Sequence, residues 1–252
     1  MALLQRFNPG IRIFGLYGGP ADLVREARAL EGCGIEHVYH DPRRLPTWNW
    51  KNTDLAVAGW YRDVGQSVSF DRVDVVQWDL LFFAPLDRVY PMVPKDAVAL
   101  SGLVPLSDVA HMWAWTVVEP LANESAAFMG RIREQFGERV ALYACVGPGY
   151  SLSRRFLERY AQLDVDDVGH DELRLPVFAQ IVGVDLVDTG FYPRWVDADV
   201  ERTFNADGAE IDPSVAASEL GQPCGRRVFH PCRESFDAVV IRDLLTHLKA
   251  RS

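Results

Sequence analysis

The sequence predicts an α/β fold in a single domain over residues 1–252, with a central, mostly parallel sheet flanked by helices. The N-terminal order is strand, helix, strand: Ile11–Tyr17 is strand-like, a helix begins at Ala21 after Gly18-Gly19-Pro20, and Ile35–His40 is a second strand. Strands and helices continue to alternate along the chain, which is typical of parallel sheets. A hydrophobic fraction of 48% over 252 residues is sufficient for a substantial core.

Composition excludes several classes of function. The formal net charge is −9, so the basic surface of a general nucleic-acid or anionic-membrane binder is missing. No apolar run reaches membrane-spanning length, and the N-terminal apolar segment is too short for a signal peptide, so we expect a cytoplasmic protein without a transmembrane segment. The cysteines have no C-x-x-C spacing and are expected to be reduced: Cys33, Cys145, Cys224 and Cys232.

The end of the first strand is a candidate nucleotide-binding position. Tyr17 ends that strand, Gly18 follows it, and Asp41 follows the second strand. The G-x-G-x-x-G fingerprint and the G-x-x-x-x-G-K-[ST] loop are both absent, which argues against classical NAD binding and P-loop chemistry.

A second candidate position opens the helix that runs from Asn52 or Thr53 to about Val64. Lys51, Asn52 and Asp54 cluster at its N-terminus, where backbone N–H groups suit an anion or a ribose. Asp54 is explained equally well as a residue that matches the helix dipole.

The segment Phe70–Phe83 is predicted to be a buried strand, because Val73, Val75 and Val76 are β-branched and Leu80–Phe83 is apolar without a break. Asp79 interrupts this hydrophobic run. A carboxylate there either caps a turn between two short strands or holds a divalent cation or sugar hydroxyl in a crevice. We also expect strands over 97–102 and 140–146, a helix from about Asn123 to Phe136, a turn at Gly147-Pro148-Gly149-Tyr150, and Ser151 as the cap of the next helix.

Two adjacent acids, Asp171 and Glu172, open an apolar helix that has Pro176 near its first turn and ends at Gly183. The helix dipole alone accounts for acids at this place, and the alternative is a general base held against a hydroxyl group. Residues 188–225 are predicted to be a loop, followed by a short strand that ends at His230 and a last helix through Lys249.

The order of these parts resembles the nucleotide-diphospho-sugar glycosyltransferases of the GT-A fold, a Rossmann-like architecture. Gln77-Trp78-Asp79 stands in the place of their Asp-x-Asp motif, His170–Pro176 in the place of the catalytic base, and Phe229-His230-Pro231 in the place of a late metal-binding histidine. The resemblance implies a nucleotide-binding half at about 1–105 and an acceptor-binding half at about 106–252.

The resemblance further implies an inverting transfer of a sugar from a nucleotide-diphospho-sugar donor to an acceptor hydroxyl. Asp171 or Glu172 would be the base, with Asp171 preferred, and Asp79 and His230 would hold Mn²⁺ or Mg²⁺. The nucleotide would contact Tyr17, Gly18, Asp41, Asp54 and Gln77.

Gln77 departs from the Asp-x-Asp pattern, because only Asp79 brings a negative charge to this point. We therefore expect weak cation binding without nucleotide, or a metal-independent enzyme in which Arg or Lys neutralises the diphosphate. A non-catalytic sugar-nucleotide-binding protein is the main alternative. A nucleotidyltransferase ranks lower, since Gly18–Asp22 contains no basic residue.

Overall fold

The centre of the protein is a four-stranded sheet built on its two longest strands, β5 (Val98–Pro105) and β6 (Tyr143–Ser153). The computed structural model describes residues 2–206 and 208–249. The strand order is β3, β6, β5, β7, with β3 at Arg72–Val75 and β7 at Leu186–Asp188. β6 is antiparallel to both of its neighbours, whereas β5 and β7 are parallel.

Two smaller sheets lie at the periphery. β1 (Phe14–Leu16) and β2 (His37–Tyr39) are parallel, and β4 (Leu81–Phe82) is antiparallel to β8 (Val228–Phe229). The α/β class is confirmed, but the sheet is mixed. Among the described residues, parallel pairing of strands is limited to β1–β2 and β5–β7, with one isolated parallel bridge between Phe204 and His230. An apolar strand pattern shows that a strand is buried and does not encode its direction, which the connections decide.

The helices agree with the sequence pattern at the central positions. The helices expected near 53–64, 123–136 and 171–183, and the last helix, are confirmed, while the expected loop at 188–225 contains two helices of its own. The α-helices are α1 (Ala2–Phe7), α2 (Val24–Arg28), α3 (Pro46–Lys51), α4 (Thr53–Asp63), α5 (Leu86–Val89), α6 (Leu106–Val109), α7 (Ala114–Val117), α8 (Leu121–Phe136), α9 (Arg154–Tyr160), α10 (Asp171–Ile181), α11 (Ala198–Glu201), α12 (Pro213–Leu220) and α13 (Ala238–Lys249). Short 3₁₀ turns lie at Ala21–Leu23, Ala29–Cys33, Gly65–Ser67 and Gly137–Arg139.

β6 continues through the segment 147–150, where the sequence predicts a turn. Gly149 has a φ of +75°, and a Cβ at this position would lie 2.9 Å from the Phe191 ring, so the glycine serves close packing inside the strand. Because the strand is longer than expected, Ser153 and not Ser151 caps α9, and its Oγ accepts a hydrogen bond from the Phe156 N–H at 3.2 Å.

α10 packs across the main sheet against β6 and β5 and is buried over nearly its whole length. Its side chains contact the core around Leu152 and Phe156, to which α4 and α9 also contribute. Pro176 lies inside the helix and not in its first turn. Over the described ranges, every helix is too short or too polar to cross a membrane.

Candidate functional site

Asp79 and His230 lie side by side, with 3.5 Å between Asp79 Oδ1 and His230 Nε2. The pairing of β4 with β8 brings them together, because Leu81 and Phe229 are register partners. The backbone N–H of Cys232 also donates to the Asp79 carbonyl at 2.8 Å. Both side chains are buried, at 4% exposure for Asp79 and 6% for His230.

The other nitrogen of His230 determines how its ring is protonated. Nδ1 lies 2.7 Å from the Asn205 carbonyl oxygen, which can only accept, so Nδ1 carries a proton. In the neutral ring, Nε2 then directs a lone pair toward the Asp79 carboxylate. The lone pair and the carboxylate oxygen repel each other, and a proton or a cation bound between the two atoms removes this repulsion.

The donor atoms at this place fit a divalent cation. A carboxylate oxygen and an imidazole nitrogen suit Mn²⁺, and the hydrogen bond from Nδ1 to a carbonyl is the usual support of a metal-binding histidine. The described residues contain no group of three or more His, Cys, Asp or Glu side chains suited to a metal ion. A cation at Asp79 and His230 would therefore need oxygen ligands from a bound nucleotide and from water.

Arg233 Nε donates a hydrogen bond to the second carboxylate oxygen of Asp79, Oδ2, at 3.0 Å. Burial opposes ionisation of Asp79, but the hydrogen bond and charge of His230 and the hydrogen bond from Arg233 outweigh it and hold the pKa of this carboxyl below its usual value. Asp79 is thus an anion at neutral pH. The Arg233 side chain is 39% exposed, so its positive charge is accessible beside the carboxylate.

Glu172 is held by one hydrogen bond to each carboxylate oxygen. Oε1 accepts from the Gly147 N–H at 2.6 Å, and Oε2 accepts from Trp115 Nε1–H at 2.7 Å. Burial is the largest influence and raises the pKa of Glu172 to about 7, although these two donors and the nearby His170 favour its ionised form. Glu172 therefore titrates close to neutral pH in a fixed orientation.

Asp171 faces His170 instead of the Glu172 carboxylate. His170 Nδ1 lies 2.7 Å from Asp171 Oδ1, and the imidazole stacks on Trp115 with ring centroids 3.8 Å apart. Burial lowers the pKa of His170, but the carboxylates of Asp171 and Glu172 outweigh it and raise the value. Asp171 is only 3% exposed, and its carboxylate lies beside the His170 ring.

Gly147 connects Glu172 to the segment that bears Asp79. A Cβ at Gly147 would lie 3.1 Å from Glu172 Oε1 and 3.6 Å from Gln77 Nε2. The Gln77 side chain therefore lies beside Gly147 and Glu172, and Asp79 follows it by two positions. Gly147 thus has both Gln77 and Glu172 beside it, and Asp79 is two residues from Gln77 in the chain.

Tyr17, Gly18 and Asp41 follow the carboxyl ends of β1 and β2, which meet at one edge because the two strands are parallel. The Tyr17 hydroxyl donates to the Pro20 carbonyl at 3.0 Å, and the Gly18 carbonyl accepts from Asn49 Nδ2 at 3.4 Å. Asp41 binds the Arg43 guanidinium through two hydrogen bonds of 2.8 Å, which keeps the pKa of the carboxyl below its usual value. Asp41 also lines a polar cavity of about 280 Å³.

Asp54 has no free carboxylate oxygen. Arg174 binds Oδ1 through Nη2 at 2.7 Å and Oδ2 through Nε at 2.9 Å, and the Tyr160 hydroxyl donates to Oδ2 at 2.6 Å. Neither side chain of the ion pair is exposed to solvent. The ribose contact expected for Asp54 does not fit this environment, and we leave Asp54 out of the candidate site.

Three participants are absent from the sequence-based candidates: Gly147, Trp115 and Arg174. Gly147 lies in the predicted turn at 147–150, and Trp115 lies in an aromatic segment, 111–116, that the sequence assigns to the core. Arg174 carried a usable signal, because a charged residue between Leu173 and Leu175 in an apolar helix requires a buried partner.

Comparisons with protein-family models, with curated proteins and with solved structures find no match to this chain.

Proposed function

We propose that the protein is a glycosyltransferase that moves a sugar from a nucleotide-diphospho-sugar donor to an acceptor hydroxyl. The observation that carries this proposal is the position of Gln77. Its side chain lies beside Gly147 and the Glu172 carboxylate, and it precedes Asp79, which pairs with His230, by two residues. An anionic centre suited to a cation and a carboxylate that titrates near neutrality are the two groups that such a transfer requires.

The diphosphate of the donor is assigned to the place where Asp79 and His230 lie. Asp79 and His230 would hold Mn²⁺ or Mg²⁺, which, when bound, supplies positive charge to the departing diphosphate. Arg233, bonded to Asp79 and partly exposed, brings a second positive charge to the same place. This arrangement keeps the leaving group near cations without a second acid at Gln77.

Glu172 is assigned as the general base that takes the proton from the acceptor hydroxyl. Its two hydrogen bonds fix the carboxylate, and a pKa of about 7 places it near the working pH of most enzymes. The hydroxyl oxygen then attacks the anomeric carbon from the side opposite the diphosphate, which inverts that carbon. The sequence favoured Asp171 for this role, and we assign Asp171 instead to positioning through His170.

The nucleoside is assigned to the edge formed by the carboxyl ends of β1 and β2. Tyr17, Gly18 and Asp41 lie at this edge, as the resemblance implies, and the polar cavity beside Asp41 offers hydrogen-bonding groups for a base or ribose. Asp54 is omitted because its carboxylate is fully bonded within the protein.

A non-catalytic protein that binds sugar nucleotides is the second candidate, and Gln77 in place of an acid favours it. The two candidates differ in turnover: a glycosyltransferase slowly hydrolyses or transfers its donor sugar, and a binding protein returns the donor intact.

The test is titration calorimetry of UDP, GDP, CDP and TDP, each with Mn²⁺ and again with a chelator, followed by incubation with the sugar nucleotide of the tightest binder. We expect one nucleotide to bind, to lose affinity with the chelator, and to release free sugar from its donor. Binding without any release selects the non-catalytic candidate. No binding under either condition overturns the proposal.

A further inference from the structure

Trp50 is a large aromatic side chain that the fold leaves open to solvent. It lies near the end of α3 and is 63% exposed, whereas its two ring neighbours, Trp115 and His170, are 8% and 5% exposed. The Trp50 centroid lies 5.5 Å from that of Trp115 and 5.7 Å from that of His170. One side of the indole is thus supported by protein, and the rest is accessible.

These contacts place the exposed ring close to the proposed base. Trp115 contacts Trp50 and also donates its Nε1–H to Glu172 Oε2 at 2.7 Å. A molecule that rests on Trp50 therefore lies next to the side chain that orients Glu172.

The buried ion pair keeps Trp50 in a fixed position relative to Glu172. Arg174 lies two residues after Glu172 in α10. Its Nη2 donates to the Lys51 carbonyl at 3.1 Å and to Asn52 Oδ1 at 2.7 Å. Lys51 and Asn52 directly follow Trp50, so α3 is attached to the first turn of α10. The conformational entropy of Trp50 is therefore already reduced in the free protein, so a ligand that stacks on it does not have to order this side chain.

We propose that Trp50 is a stacking surface for the acceptor and that the acceptor is a saccharide. A pyranose ring has an apolar face of C–H groups and a rim of hydroxyls, so it can cover an indole while one hydroxyl reaches a nearby carboxylate. Lys51, which pairs with Glu124, supplies polar groups beside the ring for the other hydroxyls. This inference rests on the proposed glycosyltransferase function and adds the chemical class of its acceptor.

The experiment is saturation-transfer NMR titration of the whole protein with methyl β-D-galactopyranoside, methyl β-D-glucopyranoside and methyl α-D-mannopyranoside. We expect at least one glycoside to bind, with about tenfold weaker affinity in Trp50→Ala and an intermediate affinity in Trp50→Phe. Leu45→Ala is the matched control, because Leu45 is also an exposed apolar side chain at this helix, 70% exposed, and makes no stacking surface.

Equal binding by the wild type and Trp50→Ala overturns the role of Trp50, and no glycoside binding by the wild type overturns the saccharide acceptor. Donor hydrolysis by water, measured on the same samples, separates this inference from the proposed function. Hydrolysis that persists without glycoside binding removes only the inference. Glycoside binding through Trp50 without nucleotide binding or hydrolysis removes only the glycosyltransferase.

Discussion

The guanidinium of Arg174 binds both carboxylate oxygens of Asp54, at 2.7 Å and 2.9 Å, and the pair is completely enclosed. Asp54→Asn would leave the Arg174 charge buried without an anion, so we expect the free energy of unfolding to fall by about 3–5 kcal/mol. Urea denaturation measures this change.

Asp71→Asn is the control for that substitution, because Asp71 pairs with Lys95 on the surface, where an ion pair contributes about 1 kcal/mol or less. Unchanged stability of Asp54→Asn together with weaker nucleotide binding would restore the ribose contact that the sequence suggested.

Asp79→Asn tests the proposed cation centre. The amide keeps the shape of the side chain and removes its charge, so we expect Mn²⁺-dependent nucleotide binding to weaken at least about tenfold. Calorimetry with the nucleotide that the wild type binds most tightly measures the loss. The Asp71→Asn protein should retain wild-type affinity, and equal affinity in both variants would exclude Asp79 from the site.

The pKa of Glu172 predicts how activity depends on pH. A base must be ionised to accept a proton, so the rate of sugar release should rise about tenfold per pH unit below pH about 7 and level off above it. Glu172→Gln should abolish the rise of the rate with pH and most of the activity. Asp171→Asn should show the same pH dependence as the wild type at a lower rate. The opposite outcome for the two variants would return the role of base to Asp171.

The same pKa predicts a pH dependence of stability that does not depend on function. Folding raises the pKa of Glu172 from 4.5 to about 7. The contribution of this group to the free energy of unfolding is therefore complete below pH 4.5 and is lost as the pH rises to about 7. The loss is at most on the order of 3 kcal/mol. In Glu172→Gln, this part of the decline between pH 4.5 and 7 should disappear from urea unfolding curves.

Gly147→Ala tests whether the place where Gln77 and Glu172 meet belongs to the site. The added methyl group would lie 3.1 Å from Glu172 Oε1, so it should displace the carboxylate and lower donor turnover about tenfold or more. Gly130→Ala in α8 is the control, since a Cβ there meets nothing within 4 Å and an alanine favours the helix. Equal turnover in both variants would show that this spot is outside the site.

The sequence by itself determined the α/β class and the places of α4, α8 and α10, because helix periodicity and end signals are local. It also marked Asp79, Glu172 and His230 as unusual, because polar residues stood beside apolar strands or opened an apolar helix.

Only the tertiary structure decided what these side chains do. Whether Asp54 meets a ribose or an arginine depends on Arg174, which is distant in the chain, and whether Asp171 or Glu172 faces Gly147 depends on how α10 lies on the sheet. Likewise, β6 runs antiparallel to β3, although its sequence suits either direction. Local patterns record burial and backbone preference, whereas partners and orientations arise from packing between distant segments.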